Sequence, residues 1–204
     1  MTINKKYINE FINVTSKAAI ASHFLVGKKD KISADQAAVD SMRSELNKIN
    51  MSGEIVIGEG KLDEAPMLHT GEKLGNQKGP SFDIAVDPLE GTNFAANNLP
   101  GALSVIAVAE KGNLFKAPET YMNKIATAKV EKGVIDLDYS IKKNLSNLAE
   151  FKNTEPSSLI ACVLDRPRHK KIIKELNELN VKISLISDGD VAGVLSVTKP
   201  SYGV

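Results

Sequence analysis

From residue 4 onward, apolar or small side chains recur three and four positions apart: Ile8, Phe11, Ile12, Thr15, Ala18, Ala19, Ser22 and Leu25. That spacing predicts a helix over 4–26, stopped by Gly27 and followed by a basic turn over 28–31. A second helix is predicted from Ser33, where Ser33 and Gln36 match a capping box. Its apolar stripe is Val39, Met42, Leu46 and Ile49. The pattern then shortens. Ile55-Val56-Ile57 reads as a strand ending in Gly58-Glu59-Gly60, and 65–74 reads as a helix with Pro66 in its first turn. Residues 82–86 and 103–109 read as strands, Lys111-Gly112-Asn113 as a turn into 114–116, and 125–128 and 134–135 as further short strands.

From about Ser140 the elements alternate. A helix over 140–151, a strand over 158–164, a helix over 168–179, a strand over 181–186 and a helix after Asp188-Gly189-Asp190 are predicted. Such a β-α-β-α order implies parallel strands. The fold class expected is α/β, with α+β character in the first lobe. Residues 152–157, with Asn153, Thr154 and Pro156, read as a join, giving one domain over 1–152 and the start of a second over 153–204. The last helix runs into 199–204 without a returning strand, so the second lobe is expected to be incomplete, either truncated or completed by a partner.

Composition narrows the classes. The 204 residues carry a net charge of +1, with 42% hydrophobic and 25% charged side chains. That balance gives no field to attract nucleic acid or an anionic membrane. No apolar run approaches the roughly 20 residues of a membrane span, and no apolar segment follows the basic N-terminus. A soluble, cytoplasmic chain is expected. Cys162 is the only cysteine, which excludes an internal disulfide and a thiolate metal cage; its apolar neighbours mark it as a core residue.

Candidate chemistry concentrates between residues 54 and 90, which hold eight carboxylates: Glu54, Glu59, Asp63, Glu64, Glu72, Asp83, Asp87 and Glu90. Glu54 and Glu72 read as solvated turn acids. Glu59 and Asp87 each follow a predicted strand, and ligands of open α/β sheets gather at strand ends. If those strands are neighbours, the two carboxylates meet. At ~4 Å they repel by about 4 kcal/mol at an effective dielectric of 20, unless they share a proton, separate or bind a cation. Oxygen donors without cysteine favour a hard ion, Mg²⁺ or Mn²⁺. In Asp87-Pro88-Leu89-Glu90-Gly91-Thr92 a turn needs only the proline and glycine; the acids need another purpose. After Gly91, the N–H groups of Gly91, Thr92 and Asn93 can form an anion-binding turn, and an anion beside divalent metal suggests phosphate.

The hexapeptide "DPLEGT" resembles the D-P-[LI]-[DE]-G-[ST] signature of lithium-sensitive, metal-dependent phosphatases. With "VIGEGKLDEAPML" at 56–68, "DIAVDPLEGTN" at 83–93, "VIAVAEKGNLFKAPETYMNKIA" at 105–126, "RPRH" at 166–169 and "SDGDVAG" at 187–193, the chain is similar to class II fructose-1,6-bisphosphatases from residue 5 to 198. The resemblance implies a layered α-β-α-β-α sandwich and hydrolysis of the 1-phosphate of fructose 1,6-bisphosphate. It implies Asp35, Glu59, Asp87 and Glu90 as metal ligands, with the Leu89 carbonyl as a further one. Asp63 and Thr92 would orient and activate the water. Glu90, Gly91 and Thr92 would meet the scissile phosphate. Tyr121, Arg166, Pro167, Arg168, Asp188, Gly189 and Asp190 would hold the sugar and distal phosphate.

The residues themselves agree for Arg166 and Arg168, whose guanidinium forks suit phosphate, although a solvated basic turn reads the same way. Tyr121 can equally be a packed aromatic. Asp188 and Asp190 can merely cap the next helix. His169 sits beside the arginines; His23 and His69 read as structural or exposed. Two departures from the family pattern stand out. Lys61 occupies a position usually acidic, and the chain ends before a G-G-x-P-E-G segment that carries another metal ligand. The partners implied are a sugar bisphosphate and further copies of the chain, as dimer or tetramer. Competing readings are a sedoheptulose 1,7-bisphosphatase or inositol phosphatase, or a non-catalytic fragment or assembly module.

Overall fold

The computed structural model describes residues 3–58, 68–116 and 120–198. They fall into two compact units, Met1–Thr120 and Tyr121–Val204.

In the first unit, α1 (Lys5–His23) starts at Asn4, whose side chain accepts the Lys6 N–H at 2.9 Å. Its buried face is Phe11, Val14, Ala18 and Ser22, whereas Ile8 and Ile12 lie exposed. The small Ala18 and Ser22 give α2 room to approach, and this decides which stripe packs inward. Helix α2 (Lys31–Lys48) begins earlier than Ser33, because the cap is Asp30. The Asp30 carboxylate accepts the Ser33 N–H at 3.0 Å and the Ser33 hydroxyl at 2.6 Å. Gln36 closes no capping box; it donates to Asp40 at 2.8 Å. An ionised carboxylate is the stronger acceptor, so Asp30 takes the Ser33 N–H that the Gln36 side chain would accept in the box. The expected stripe of Val39, Met42, Leu46 and Ile49 is buried, joined by Ala34 and Ala38.

These helices cover a four-stranded mixed sheet of order β2-β1-β3-β4. Strand β1 (Ser52–Ile57) runs parallel to β3 (Ser81–Glu90) and antiparallel to β2 (Lys73–Leu74). Strand β4 (Leu103–Glu110) pairs antiparallel with β3. Phe82 of β3 meets Tyr7 and Phe11 edge-on, with ring centroids 5.2 and 5.9 Å away. The helix expected over 65–74 does not form in its described part. Residues 68–74 return along β1 instead: the Ile55 N–H donates to the Glu72 carbonyl at 3.0 Å and the Gly71 N–H to the Ile55 carbonyl at 2.7 Å. Gly71, with φ +93°, opposes a helix, and pairing with β1 satisfies the backbone. Residues 114–116, 125–128 and 134–135 form no strand; each run is short, and among the described residues none has a strand beside it.

In the second unit, α4 (Ile141–Phe151) is capped by Ser140, whose hydroxyl accepts the Lys143 N–H at 3.2 Å. Strands β5 (Ile160–Leu164) and β6 (Lys182–Ile186) pair in parallel, as the alternating pattern requires, with α5 (Lys170–Glu178) connecting them and α6 (Asp190–Ser196) following. Ala149, Leu159, Leu176 and Val181 form the core. Because α4 packs on α5, the stretch 152–157 lies within this unit, and the division of the chain falls at Thr120. Among the described residues, no helix is long and apolar enough to cross a membrane.

Candidate functional site

Strands β1 and β3 are parallel neighbours, the condition for their C-terminal ends to converge, and the register reaches Ile57 opposite Ala85. Glu59, Lys61 and Asp63 lie outside the described residues. Asp87 follows two positions beyond Ala85, but it does not start a turn. Strand β3 continues through Glu90 by way of a bulge. Asp87 stands opposite Val105 and Glu90 opposite Leu103, so β3 carries one residue more than β4 across this step. Pro88 sits inside the bulge, where its missing N–H interrupts no ladder bond. Bulges re-aim side chains next to functional sites. Here Glu90 is left 5% exposed and Asp87 half-buried.

The turn itself is Gly91. Its φ of +78° is a conformation that side chains resist. A Cβ there would also stand 3.3 Å from the Phe94 ring and 3.4 Å from Ala102 Cα. The Gly91 carbonyl accepts the Phe94 and Ala95 N–H groups at 2.9 and 3.2 Å, opening the short helix α3 (Thr92–Ala96). The loop between α1 and α2 secures the far end of α3. The Gly27 N–H donates to the Ala95 carbonyl at 2.9 Å, the Lys29 N–H to the Ala96 carbonyl at 2.9 Å, and Lys29 Nζ to Asn97 Oδ1 at 2.7 Å.

Asp35 is 9% exposed in α2, which packs on both α3 and β3. Three of the four expected metal ligands thus belong to elements packed together in one unit. Among the described residues, no group of three histidine, cysteine or acidic side chains is placed to hold a metal ion, and Glu59, the fourth ligand, lies outside them. The donor set itself fits a hard divalent cation. It is all carboxylate oxygen, with Asp35 and Glu90 buried, where charged oxygens are tolerated when paired or coordinated.

Three further acids of the cluster, Asp83, Glu54 and Glu72, have structural partners. Asp83, 2% exposed, accepts the N–H groups of Gly112 and Leu114 at 2.7 and 3.4 Å and so fixes the turn after β4. Glu54 and Glu72 are not simply solvated. Glu72 receives Arg43 through Nε at 2.7 Å and Nη2 at 3.3 Å. Glu54 meets Lys73 at 2.5 Å, Lys111 at 3.5 Å and Lys116 at 3.9 Å, and the Lys73 hydrogen bond holds its carboxyl below the ordinary glutamate range. A pairing role for Asp83 was visible only in the structure, since its partners lie 29 and 31 residues away.

In the second unit, the Arg168 guanidinium stacks over the Tyr121 ring at 4.1 Å, joining two expected substrate residues. Both are exposed, so Tyr121 is not a packed core aromatic. Pro167 and Arg168 lie on a 3-10 turn, Pro167–His169, between β5 and α5. Arg166 precedes it half-buried, its Nη1 3.4 Å from the Asp165 carbonyl. His169 Nδ1 stands 2.8 Å from the Leu164 carbonyl; a carbonyl only accepts, so Nδ1 is the donor. Gly189 is buried, with φ +75° and ψ +47°, and heads α6 much as Gly91, at +78° and +45°, heads α3. Gly189 has no side chain with which to cap, and Asp190 lies inside the first turn, where negative charge suits the helix dipole. Cys162 is half-buried, and burial pushes its thiol pKa up.

The family model described as bacterial fructose-1,6-bisphosphatase, glpX-encoded, matches residues 5–204, and the chain belongs to this family. A D-fructose 1,6-bisphosphatase class 2/sedoheptulose 1,7-bisphosphatase of Prochlorococcus marinus (strain MIT 9515) is 47% identical over 194 residues, covering 95% of this chain and 58% of the relative. Its Synechocystis counterpart is 46% identical over 199 residues, covering 92% of this chain and 58% of the relative. The chain therefore spans under two thirds of the length of these curated relatives. The crystal structure of the extragenic suppressor protein suhB from Bartonella henselae aligns with 95% of this chain and 75% of its own, at 16% identity and a TM-score of 0.43.

Proposed function

We infer that this chain serves a divalent-metal-dependent sugar bisphosphatase that releases the 1-phosphate of fructose 1,6-bisphosphate as inorganic phosphate, leaving fructose 6-phosphate. The observation that carries this is the end of β3, where a bulge buries Glu90 and a left-handed Gly91 then turns the chain straight into α3. Asp35, Glu59, Asp87 and Glu90, with the Leu89 carbonyl, would hold Mg²⁺ or Mn²⁺. Such a cation, when bound, neutralises phosphate charge and lowers the pKa of a coordinated water.

The chain's own groups do the rest. Gly91 and Thr92 present the start of α3 to the scissile phosphate, and Thr92 with Asp63 orients the attacking water, a carboxylate taking its proton. Arg166 and Arg168 supply guanidinium forks for the distal phosphate. Tyr121 holds the Arg168 plane by stacking, and Pro167, Asp188, Gly189 and Asp190 shape the sugar site. The layered α-β-α-β-α arrangement and assembly as a dimer or tetramer belong to the same reading.

The relatives, which act as fructose 1,6-bisphosphatase class 2/sedoheptulose 1,7-bisphosphatase by their description, favour a second substrate, sedoheptulose 1,7-bisphosphate. The test is phosphate release by the 204-residue chain with Mg²⁺ or Mn²⁺, against fructose 1,6-bisphosphate, sedoheptulose 1,7-bisphosphate and inositol monophosphate. Turnover of the bisphosphates alone is expected. Equal turnover of the monophosphate would remove the role given to the arginines. No release with any substrate, while the folded chain binds neither cation, would leave the non-catalytic reading.

A further inference from the structure

Helix α1 buries one face in the core and carries a second apolar row on its outer face. Ile8, Ile12, Ile20 and Phe24 are between 45% and 70% exposed. With Ser16 in the middle, they stand at steps of four residues, the spacing that forms one continuous ridge on a helix. Phe24 ends α1 with φ −64° and ψ −12°, so it continues the helical path. Single exposed hydrophobics need no explanation, but a contiguous row of them does. The hydroxyls along the row are already used. Ser16 donates to the Ile12 carbonyl at 2.7 Å, and Thr15 beside it donates to the same carbonyl at 3.1 Å. Both can therefore be covered without losing a hydrogen bond to water.

The row matches itself when reversed about Ser16, as a two-fold contact requires. Ile12 then meets Ile20 of a second copy, and Ile8 meets Phe24. Such ridges are inclined about 26° to each helix axis, so two of them line up when the helices cross near 50°, a common angle in globular proteins. The flanking rows are Asn9, Asn13 and Lys17 on one side and Thr15, Ala19 and His23 on the other. Reversed end to end, they set Lys17 opposite Asn9 and His23 opposite Thr15, so no like charges are opposed. We propose that this face of α1 is the contact between two copies of the chain, in a two-fold pair centred on Ser16. The four exposed side chains present on the order of 400 Å² of apolar surface, about half of the ~800 Å² that each partner buries in a standard interface, so the pair is reversible. This contact rests on the self-assembly in the proposed function and on no other part of that reading.

The experiment is sedimentation velocity of the 204-residue chain over roughly 1–300 µM, the range in which a contact of this size dissociates. A monomer–dimer equilibrium is expected. Ile12→Glu and, separately, Ile20→Glu place an unpaired charge in the contact and should raise the dissociation constant at least tenfold. Circular dichroism should stay unchanged in both, because each side chain is exposed in a single copy. Ser16→Cys, in a Cys162→Ser background, should link two copies under mild oxidation, since a residue at the two-fold axis meets itself within disulfide reach. Lys78→Cys in the same background, exposed and outside α1, should stay unlinked. Should a glutamate variant unfold, the cysteine pair decides. A monomer at every concentration, a dimer that survives both glutamates, or equal linking at Ser16 and Lys78 overturns the proposal. A monomer would leave the phosphate-release and cation-binding tests as they stand, so the two readings fail separately.

Discussion

Two glycines with similar backbone angles face different surroundings. Gly91 and Gly112 have φ of +78° and +86°, but a Cβ at Gly112 meets nothing within 4 Å, whereas one at Gly91 meets Phe94 and Ala102. Gly112→Ala should therefore cost only the left-handed conformation, roughly 1–2 kcal/mol. Gly91→Ala should cost more, because Phe94 must also give way. Since about 1 kcal/mol moves the melting point of a domain by a few degrees, thermal scans that follow the first unit should differ visibly between the two variants. Equal losses would show that the packing at Gly91 is slack. A second effect at this scale depends on pH. The Lys73 hydrogen bond, reinforced by the charges of Lys73, Lys116 and Lys111, lowers the Glu54 pKa from its ordinary value of 4.5. A depressed carboxylate pKa contributes stability that is present above the unfolded value and lost as pH falls through the folded one. Chemical denaturation should then show wild type above Glu54→Gln at neutral pH, the gap closing below about pH 4.5 and shrinking in high salt, since the lysines are exposed. A gap that persists under acid would mean that the carboxylate acts through packing.

At the scale of elements, the start of α2 separates two capping schemes. Asp30→Ala should lower stability measurably, whereas Gln36→Ala, which removes only an exposed side-chain pair with Asp40, should be near neutral. The reverse order, read by urea denaturation, would restore the Ser33–Gln36 box. This case also shows what local sequence conveys. Ser33-x-x-Gln36 is a valid box, but Asp30 satisfies the same N–H from further upstream, and only the competition between them settles the boundary. Helices with an amphipathic period, α1, α2, α4 and α5, were legible, as were the strands β1, β3, β4, β5 and β6. The two-residue strand β2 was not, because its formation depends on the exposed edge of β1 rather than on its own residues. Likewise, the bulge that prolongs β3 to Glu90 needs β4 as its partner; in sequence, Pro88 reads only as a break. In the sequence, the acids of the candidate site stand out by their density between residues 54 and 90. The assignment of Asp35 came from family resemblance alone, since a helix-borne acid carries no periodic signal.

At the scale of the whole chain, each unit has its own core, and they are unequal. The first packs Met42, Leu46, Met51, Ile55 and Ile84 among a larger group of fully buried side chains, whereas the second has four buried hydrophobics among its described residues. A single cooperative transition is therefore not expected. Hydrogen exchange should show β1, β3 and α2 opening with higher free energies than β5 and β6. The two units also differ in what a cation can do. Asp35, Asp87 and Glu90 all belong to the first, so a cation held by them stabilises that unit by mass action, about 2.7 kcal/mol at a hundredfold excess over its dissociation constant. Adding Mg²⁺ or Mn²⁺ should slow exchange in β3, α2 and α3 and leave β5 and β6 largely unaffected. Asp87→Asn should remove that protection while leaving the cation-free exchange of the first unit nearly unchanged. Protection that rises equally in both units, or that survives in Asp87→Asn, would move the cation away from the end of β3, and the hydrolase reading would lose the ligand set on which it rests.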